Sequence, residues 1–199
     1  MRNPIDRLTA GLPHPIRVVV DWVVTLGVAV GIVLAIKGWV VNPYRIPTSS
    51  MEPTLHCARP SEGCQAGSSD RVLANRFLYH FTKPARGDVV VFDTPTAALR
   101  ECGTSGTFVK RVIGLPGETV SQRGGFIYVN GRRLPEPYAH DRSNADDGEW
   151  AIGPSSYFMM GDNRANSCDS RRWGPVAREN IIGEVFATYW PPQRISLGA

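Results

Sequence analysis

The longest apolar stretch runs from Val18 to Val41, VVVDWVVTLGVAVGIVLAIKGWVV, 24 residues in which only Asp21 and Lys37 carry charge. As a helix it would be ~36 Å long, enough to cross a hydrocarbon core of ~30 Å. Both charges lie close enough to the ends to reach the headgroups. Trp22 and Trp39 are placed like an interfacial aromatic pair. A cleaved secretory signal is the competing reading, with Arg2, Arg7 and Arg17 as its basic region and Trp22 to Ile36 as its apolar core. Against it, the apolar character continues past Lys37 and no clean A-x-A cleavage site follows.

Beyond Val41 the pattern changes to short β-branched and aromatic runs punctuated by turn residues. Strands are expected in RVLANRFLY from Arg71, GDVVVFD from Gly87, TFVKRVIG from Thr107, GFIYVNG from Gly125, SYFMMGD from Ser156 and NIIGEVFATYW from Asn180. Asn130-Gly131 reads as a two-residue hairpin turn. No sustained helical periodicity follows Val41, so this part is expected to be mainly β, with antiparallel sheets closed or packed on one another. The segment His56 to Ser69, HCARPSEGCQAGSS, reads as a polar surface insert. The C-terminal PPQRISLGA has no apolar tail, so a single span is expected. The organisation is then 1–17 as a short cytoplasmic N-terminus, 18–41 as a transmembrane helix and 42–199 as an extracytoplasmic β-rich domain. The positive-inside bias behind that orientation is modest, since Arg45 and Arg59 lie on the far side.

Composition adds three constraints. The 199 residues suffice for one domain with a core plus an appendage. The formal charge of +4 comes from scattered basic residues, which argues against nucleic acid as a partner. All four cysteines, Cys57, Cys64, Cys102 and Cys168, follow the apolar segment, as expected where that part meets an oxidising environment. Three pairings are possible. Cys57 and Cys64 bracket a short loop and form the favoured pair, which leaves Cys102 with Cys168. A zinc site is the rival, but no CxxC or His-Cys cluster supports it, and no metal is expected.

Two serines stand directly after the apolar run, in YRIPTSSMEPTL from Tyr44. A serine hydroxyl needs a base to become a nucleophile. His14, His56, His80 and His140 are available, but no GxSxG elbow surrounds any serine, and a Ser-His-Asp triad stays open without positive support. A neutral lysine is the other base. Lowering its pKa from about 10.4 by about 2 to 3 units takes ~3 to 4 kcal/mol of preference for the neutral form, which apolar burial supplies. The chain has three lysines: Lys37 is at the membrane edge, Lys83 in a Thr-Lys-Pro turn, and Lys110 in FVKRVIG among apolar neighbours, so only Lys110 has the environment a base needs. On a strand Lys110 shares a face with Phe108 and Val112, while Arg111 points the other way with Val109 and Ile113. The adjacent arginine is expected to disfavour a second positive charge. A solvated strand lysine is the bland reading, and it takes a second motif to displace it. That motif is MGDNRANSCDSRRWG, from Met160 to Gly174, whose closely spaced Asp162, Asp169, Arg164, Arg171 and Arg172 suggest an ion-paired loop that fixes a site.

IPTSSMEPTL, RGDVVVFD with FVKRVIGLPGE, and GDNRANSCDSRRWG stand in the order of the signature boxes of bacterial type I signal peptidases, membrane-bound serine proteases also called leader peptidases. The resemblance covers essentially the whole chain, and three ordered boxes are highly specific. It implies a mainly β fold, an antiparallel β-sheet catalytic domain of signal-peptidase type behind one N-terminal transmembrane helix. It further implies that Ser50 is the nucleophile and Lys110 the general base of a Ser-Lys dyad that removes signal peptides from preproteins after small residues. Thr48 would assist the oxyanion hole beside the backbone N–H of Ser50, and Ser167 would hydrogen-bond and orient the base. Asp169 with Arg171, and Asp162 with Arg111, would hold the site together, and Ser49 would have no catalytic role. Ile46, Pro47, Leu55, Phe108 and Val109 would line the shallow pockets for substrate residues at −1 and −3. No cofactor is implied. The partners would be membrane-inserted preproteins and the lipid bilayer, with the enzyme a monomer in the cell membrane. Only eight residues separate Val41 from Ser50, so even extended chain keeps the serine within roughly 30 Å of the bilayer.

The chain departs from that pattern in three places. The insert after Leu55 is longer than the family's link, which raises the prospect of a disulfide-closed loop near the substrate groove. Ala165 replaces an acidic residue, and Cys168 separates Ser167 from Asp169. A membrane-anchored, non-catalytic β binding module is the alternative of a different class; it requires that Ser50 and Lys110 be dispensable. Among other Ser-Lys enzymes, penicillin-binding proteins need Ser-x-x-Lys, which no lysine here satisfies, and self-cleaving repressors need a DNA-binding domain for which there is no room.

Overall fold

The structure, a computed structural model, describes residues 13–39 and 41–198. Residues 1–12 of the expected cytoplasmic segment, Val40 and Ala199 lie outside the described residues, as do the side chains of Lys37 and Trp39. The chain divides into two compact units, 1–41 and 42–199.

The first unit contains helix α1 (His14–Trp39), which begins four residues before the expected span. Its stretch His14–Leu34 has a mean hydropathy of 2.1 and is long and apolar enough to cross a membrane. Trp22, Leu26, Val33 and Leu34 on it are exposed. Pro43 lies just beyond: it lacks an N–H and biases Asn42 toward extended backbone, so the helical path ends and a strand begins.

The second unit is built from strands β1 (Val41–Arg45), β2 (Arg71–Asn75), β3 (Val89–Asp93), β4 (Thr107–Gly114), β5 (Thr119–Arg123), β6 (Phe126–Val129), β7 (Arg132–Arg133), β8 (Gly148–Ala151), β9 (Ser156–Met160), β10 (Val176–Ala177), β11 (Ile181–Trp190) and β12 (Ser196–Leu197). Two short helices, α2 (Thr96–Cys102) and α3 (Ser170–Trp173), join them. One sheet runs β1-β2-β11-β3-β4-β9-β10, with β12 also on β11, and a smaller one runs β7-β6-β5-β8. The ladders from β2 through β10 and throughout the smaller sheet are antiparallel.

The apolar run of β3 has a packing reason: Val89 and Val91 enter one core with Ile46, Met51, Leu55 and Val72, while Val90 and Phe92 enter another with Val112, Met159 and Trp173. A strand covered on both faces cannot alternate. A third core, Ile113, Val120, Ile127, Ile152, Phe158 and Met160, joins the ends of β4 and β9 to the smaller sheet. Asn130 and Gly131 form the β6–β7 turn with φ of 49° and 78°, as a two-residue hairpin requires.

RVLANRFLY is strand only to Asn75. Its side-chain Oδ1 accepts hydrogen bonds from the N–H groups of Phe77 and Leu78, both at 3.0 Å, and turns the chain into a 3-10 helix over Leu78–His80. β5 leaves little trace in the sequence because its TVSQR buries the polar Ser121 and Gln122. α2 is seven residues long, too short to display a periodicity, and ends on Gly103 in the left-handed conformation.

Candidate active site

Ser50 lies in a 3-10 turn, Ser49–Met51, entered from extended Thr48. Met51 and Leu55, each 1% exposed, anchor the turn in the core under β2 and β3. The N–H of Glu52 closes it on the Ser49 carbonyl at 3.0 Å, and the N–H of Asn163 donates to the Ser50 carbonyl at 3.1 Å. Across from it, β4 carries Lys110, paired in register with Val90 of β3 and 3% exposed. Lys110 Nζ is 2.5 Å from Ser50 Oγ and 5.5 Å from the centre of the Phe108 ring.

Burial pulls the Lys110 pKa down from 10.5 to about 8, against the pull of Asp169 and then Asp162, and with help from the positive charge of Arg171. The adjacent Arg111, expected to supply that help, is instead committed elsewhere. Its Nε and Nη2 donate to the two Asp162 oxygens at 2.9 and 2.7 Å, and its Nη1 to the Gly87 carbonyl at 2.7 Å. Thr54, in the same box as Ser50, donates to Asp162 Oδ2 at 2.5 Å, so the pair ties the segment of Ser50 to β4.

The turn between β9 and α3 holds a second buried pair. Arg171 Nε and Nη2 donate to the Asp169 oxygens at 2.8 and 2.9 Å. Burial works against the Asp169 carboxylate, but Arg171, the Ser167 hydroxyl and the Gly161 N–H outweigh it and hold its pKa below the usual value. Ser167 Oγ donates to Asp169 Oδ2 at 2.7 Å, whereas the side-chain hydrogen bond of Lys110 goes to Ser50. The bond to Asp169 uses the single hydroxyl hydrogen of Ser167 and leaves its oxygen able to accept, the role expected of it toward Lys110. Gly161 has no room for a side chain, because a Cβ there would collide with the Ser50 carbonyl oxygen and with Ser167. Behind the turn, Arg164 donates to the Gly161 carbonyl at 2.9 Å and pairs with buried Glu136 at 2.5 Å.

A cleft of about 400 Å³ opens over Ser50 and Lys110. Tyr44, Ile46, Pro47, Met51, Phe108 and Val109 form its apolar wall, and Thr104, Ser105, Thr107 and Asn166 a polar one, with the disulfide-bonded Cys168 beside them. Thr48 is exposed at its rim, with Oγ1 3.4 Å from Ser50 Oγ. Leu55 does not line the cleft. It is in the core beneath, because the turn at Ser50 points it inward with Met51. The insert is also absent from the cleft wall, so its expected place at the groove is not found; it packs behind Ser49 through Gly63. Cys57 is bonded to Cys64 and Cys102 to Cys168, so the zinc alternative has no thiols to use. Among the described residues no histidine hydrogen-bonds to Ser50: His56 meets Glu52, and His140 is exposed on the bridge to Asn163.

Thr54, Gly161 and Asn163 carry no sequence signal of their own. Thr54 and Gly161 stand inside the quoted boxes, yet the carboxylate that Thr54 meets and the space that Gly161 vacates are properties of the folded chain. Asn163 acts through its backbone, which leaves no residue-type signal at all.

Residues 19–190 match the family model described as signal peptidase, peptidase S26. Signal peptidase I of Leptolyngbya laminosa is 37% identical over 196 residues, 98% of this chain and 91% of the relative. Probable signal peptidase I-2 of Synechocystis sp. is 38% identical over 173 residues, 87% of this chain and 74% of the relative. Signal peptidase I of Bacillus amyloliquefaciens is 32% identical over 182 residues, 86% of this chain and 85% of the relative.

Proposed function

The chain belongs to the signal peptidase family, peptidase S26, and from that membership we propose that it is a membrane-bound serine endopeptidase that removes N-terminal signal peptides from exported preproteins after small residues, with Ser50 as nucleophile and Lys110 as general base. The observation that carries the residue assignment is the 2.5 Å approach of Lys110 Nζ to Ser50 Oγ in a buried site where the lysine pKa is about 8. A pKa that near the working pH leaves part of the lysine neutral, with a lone pair aimed at the hydroxyl.

In the neutral form, Lys110 accepts the Ser50 proton as Oγ bonds to the scissile carbonyl carbon. The carbonyl oxygen becomes an oxyanion, served by the Ser50 N–H and the Thr48 hydroxyl; one such donor is worth ~3 to 4 kcal/mol. The intermediate collapses as the ammonium of Lys110 protonates the leaving amine, which frees the mature protein and leaves the acyl group on Ser50. Water, deprotonated by the regenerated amine, then attacks the ester, and the proton returns to Ser50 Oγ. The charges of Asp169 and Asp162 stabilise the ammonium in the intermediate, while burial keeps the resting lysine from holding its proton too tightly.

The cleft suits an extended peptide. β9 pairs with β4 only from Arg111 onward, so at residues 107–110 the edge of β4 away from β3 is without a strand partner among the described residues. A substrate strand can add there, and its alternate side chains would meet Ile46, Pro47, Phe108 and Val109, which leave space for small residues at −1 and −3. Helix α1 would serve as the single span, with the chain before it on the cytoplasmic side and 42–199 outside, where the two disulfides would persist. The enzyme would act as a monomer at the cell membrane on membrane-inserted preproteins.

The test is cleavage of a preprotein with an A-x-A site in detergent or liposomes. Ser50→Ala and Lys110→Ala should each lower the rate by about 10³-fold or more, and Ser49→Ala should stay near wild type. Full activity in both would favour a non-catalytic binding module that carries a contaminating protease.

A further inference from the structure

We propose that the disulfide-closed insert between Cys57 and Cys64 is a positioning element for the nucleophile, and that Glu52 is the residue through which it acts. The proposal rests on Ser50 being the nucleophile. Glu52 follows Ser50 by two positions and is 1% exposed, yet it is absent from the cleft wall. Its carboxylate enters the insert, where Oε1 accepts from the N–H groups of Cys57 and Gln65 at 3.1 and 3.3 Å and Oε2 meets His56 Nδ1. Its own N–H closes the turn that holds Ser50. One residue therefore bonds to the catalytic turn with its backbone and to the insert with its side chain.

Two further contacts link the same parts. Gly63, with φ of +71°, lies against Ser49 so closely that a Cβ would stand 2.6 Å from Ser49 Oγ and 2.9 Å from its Cβ. Cys57 and Cys64 are buried in one core with Met51, Ile46 and Leu55. The insert has fixed footing of its own: His56 N–H donates to Asp70 Oδ2 at 2.7 Å, Asp70 N–H to the His56 carbonyl at 2.8 Å, and Ala58 N–H to Ser69 Oγ at 3.1 Å. Residues 49, 51 and 52, which flank Ser50, thus all rest on a closed and pinned loop.

The Ser50 to Lys110 hydrogen bond needs this. A serine turn free to shift by about 1 Å loses its alignment with base and carbonyl, an error worth about 100-fold in rate. Because residues 56–69 do not line the cleft, the insert reaches the reaction through Ser50 and not through the substrate. Its loss should show in kcat and leave KM in place.

The full-length enzyme in detergent, with a preprotein substrate, tests this by separate measurement of kcat and KM. Glu52→Ala should lower kcat about 10- to 100-fold with KM changed less than about twofold, and Glu52→Gln, whose amide oxygen still accepts from Cys57 and Gln65, should recover most of it. Gly63→Ala should lower kcat by at least about tenfold, whereas Gly117→Ala, with φ of +80° and open space around its Cβ, carries the same backbone strain without the collision and should stay near wild type. Circular dichroism establishes that each variant is folded, and if Glu52→Ala is not, the comparison of the two glycine variants decides. Wild-type kcat in Gly63→Ala, or a loss confined to KM, overturns the proposal. Ser50→Ala run alongside separates the two readings: if it is inactive while the insert variants keep full kcat, only the positioning role fails, and if it is active, the nucleophile assignment fails first.

Discussion

The N–H of Asn163 donates to the carbonyl oxygen of Ser50 at 3.1 Å, so the serine turn is held by the GDNR turn as well as by its own segment. Two residues earlier, Gly161 donates its N–H to Asp169 at 3.0 Å and leaves the space that the Ser50 carbonyl and Ser167 fill. Two stretches distant in the chain, the turn at Ser50 and residues 161–169, are thereby fixed to one another.

Gly161→Ala follows from that packing. The added methyl must displace the Ser50 carbonyl or Ser167, and backbone cannot move far in a buried turn. The expected result is a loss of about 100-fold in kcat together with a lower thermal midpoint, read by preprotein cleavage and a melting curve. Activity within threefold of wild type, roughly 0.6 kcal/mol, would show that the turn tolerates what the geometry forbids.

Lys110 should weaken the fold that it serves. Unfolded, it keeps its proton up to about 10.5, whereas the folded chain releases it near 8. Between those values the unfolded state binds more protons, so stability rises with pH; below 8 the folded protein bears the whole cost, about 3 kcal/mol. Lys110→Met removes that cost and keeps the volume. Urea unfolding at pH 7 should show the variant more stable by about 1 to 3 kcal/mol, with the advantage shrinking toward pH 10, and no cleavage activity at either pH. A variant equally or less stable at pH 7 would mean that burial does not lower the Lys110 pKa.

The Arg111 and Asp162 pair makes a two-part prediction. Asp162→Asn leaves the Arg111 guanidinium buried with half its partner gone, a loss of about 3 to 5 kcal/mol for such pairs. It also removes a negative charge that raises the Lys110 pKa, so whatever activity survives should have its acid limb at lower pH than wild type. A limb that stays in place or moves upward would separate Asp162 from the electrostatics of the base.

The site was legible in the sequence to different depths. Lys110 is marked out because the chain has three lysines and, of the two beyond the apolar span, it alone lies in a largely apolar strand-like run, and GDVVVFD is legible as the strand β3. Ser50 could be told from Ser49 only through the family boxes, since nothing local distinguishes two adjacent serines. Leu55 was misplaced because an apolar residue near a nucleophile reads equally as pocket or as core, and the turn at Ser50 decides which. That Ser167 donates to Asp169, and that the charge of Arg171 and not of Arg111 helps lower the Lys110 pKa, depend on how the turn between β9 and α3 folds. No spacing rule encodes that.

The most direct test is the pH dependence of kcat/KM for preprotein cleavage from pH 6 to pH 10, in wild type and in Lys110→Ala. The account predicts a single ionisation near the Lys110 value of about 8, with the rate rising tenfold per pH unit below it and level above, and no such limb in the residual activity of Lys110→Ala. A wild-type limb near about 6.5, the range of histidine, or an unchanged limb in Lys110→Ala, would contradict the assignment of Lys110 as the base.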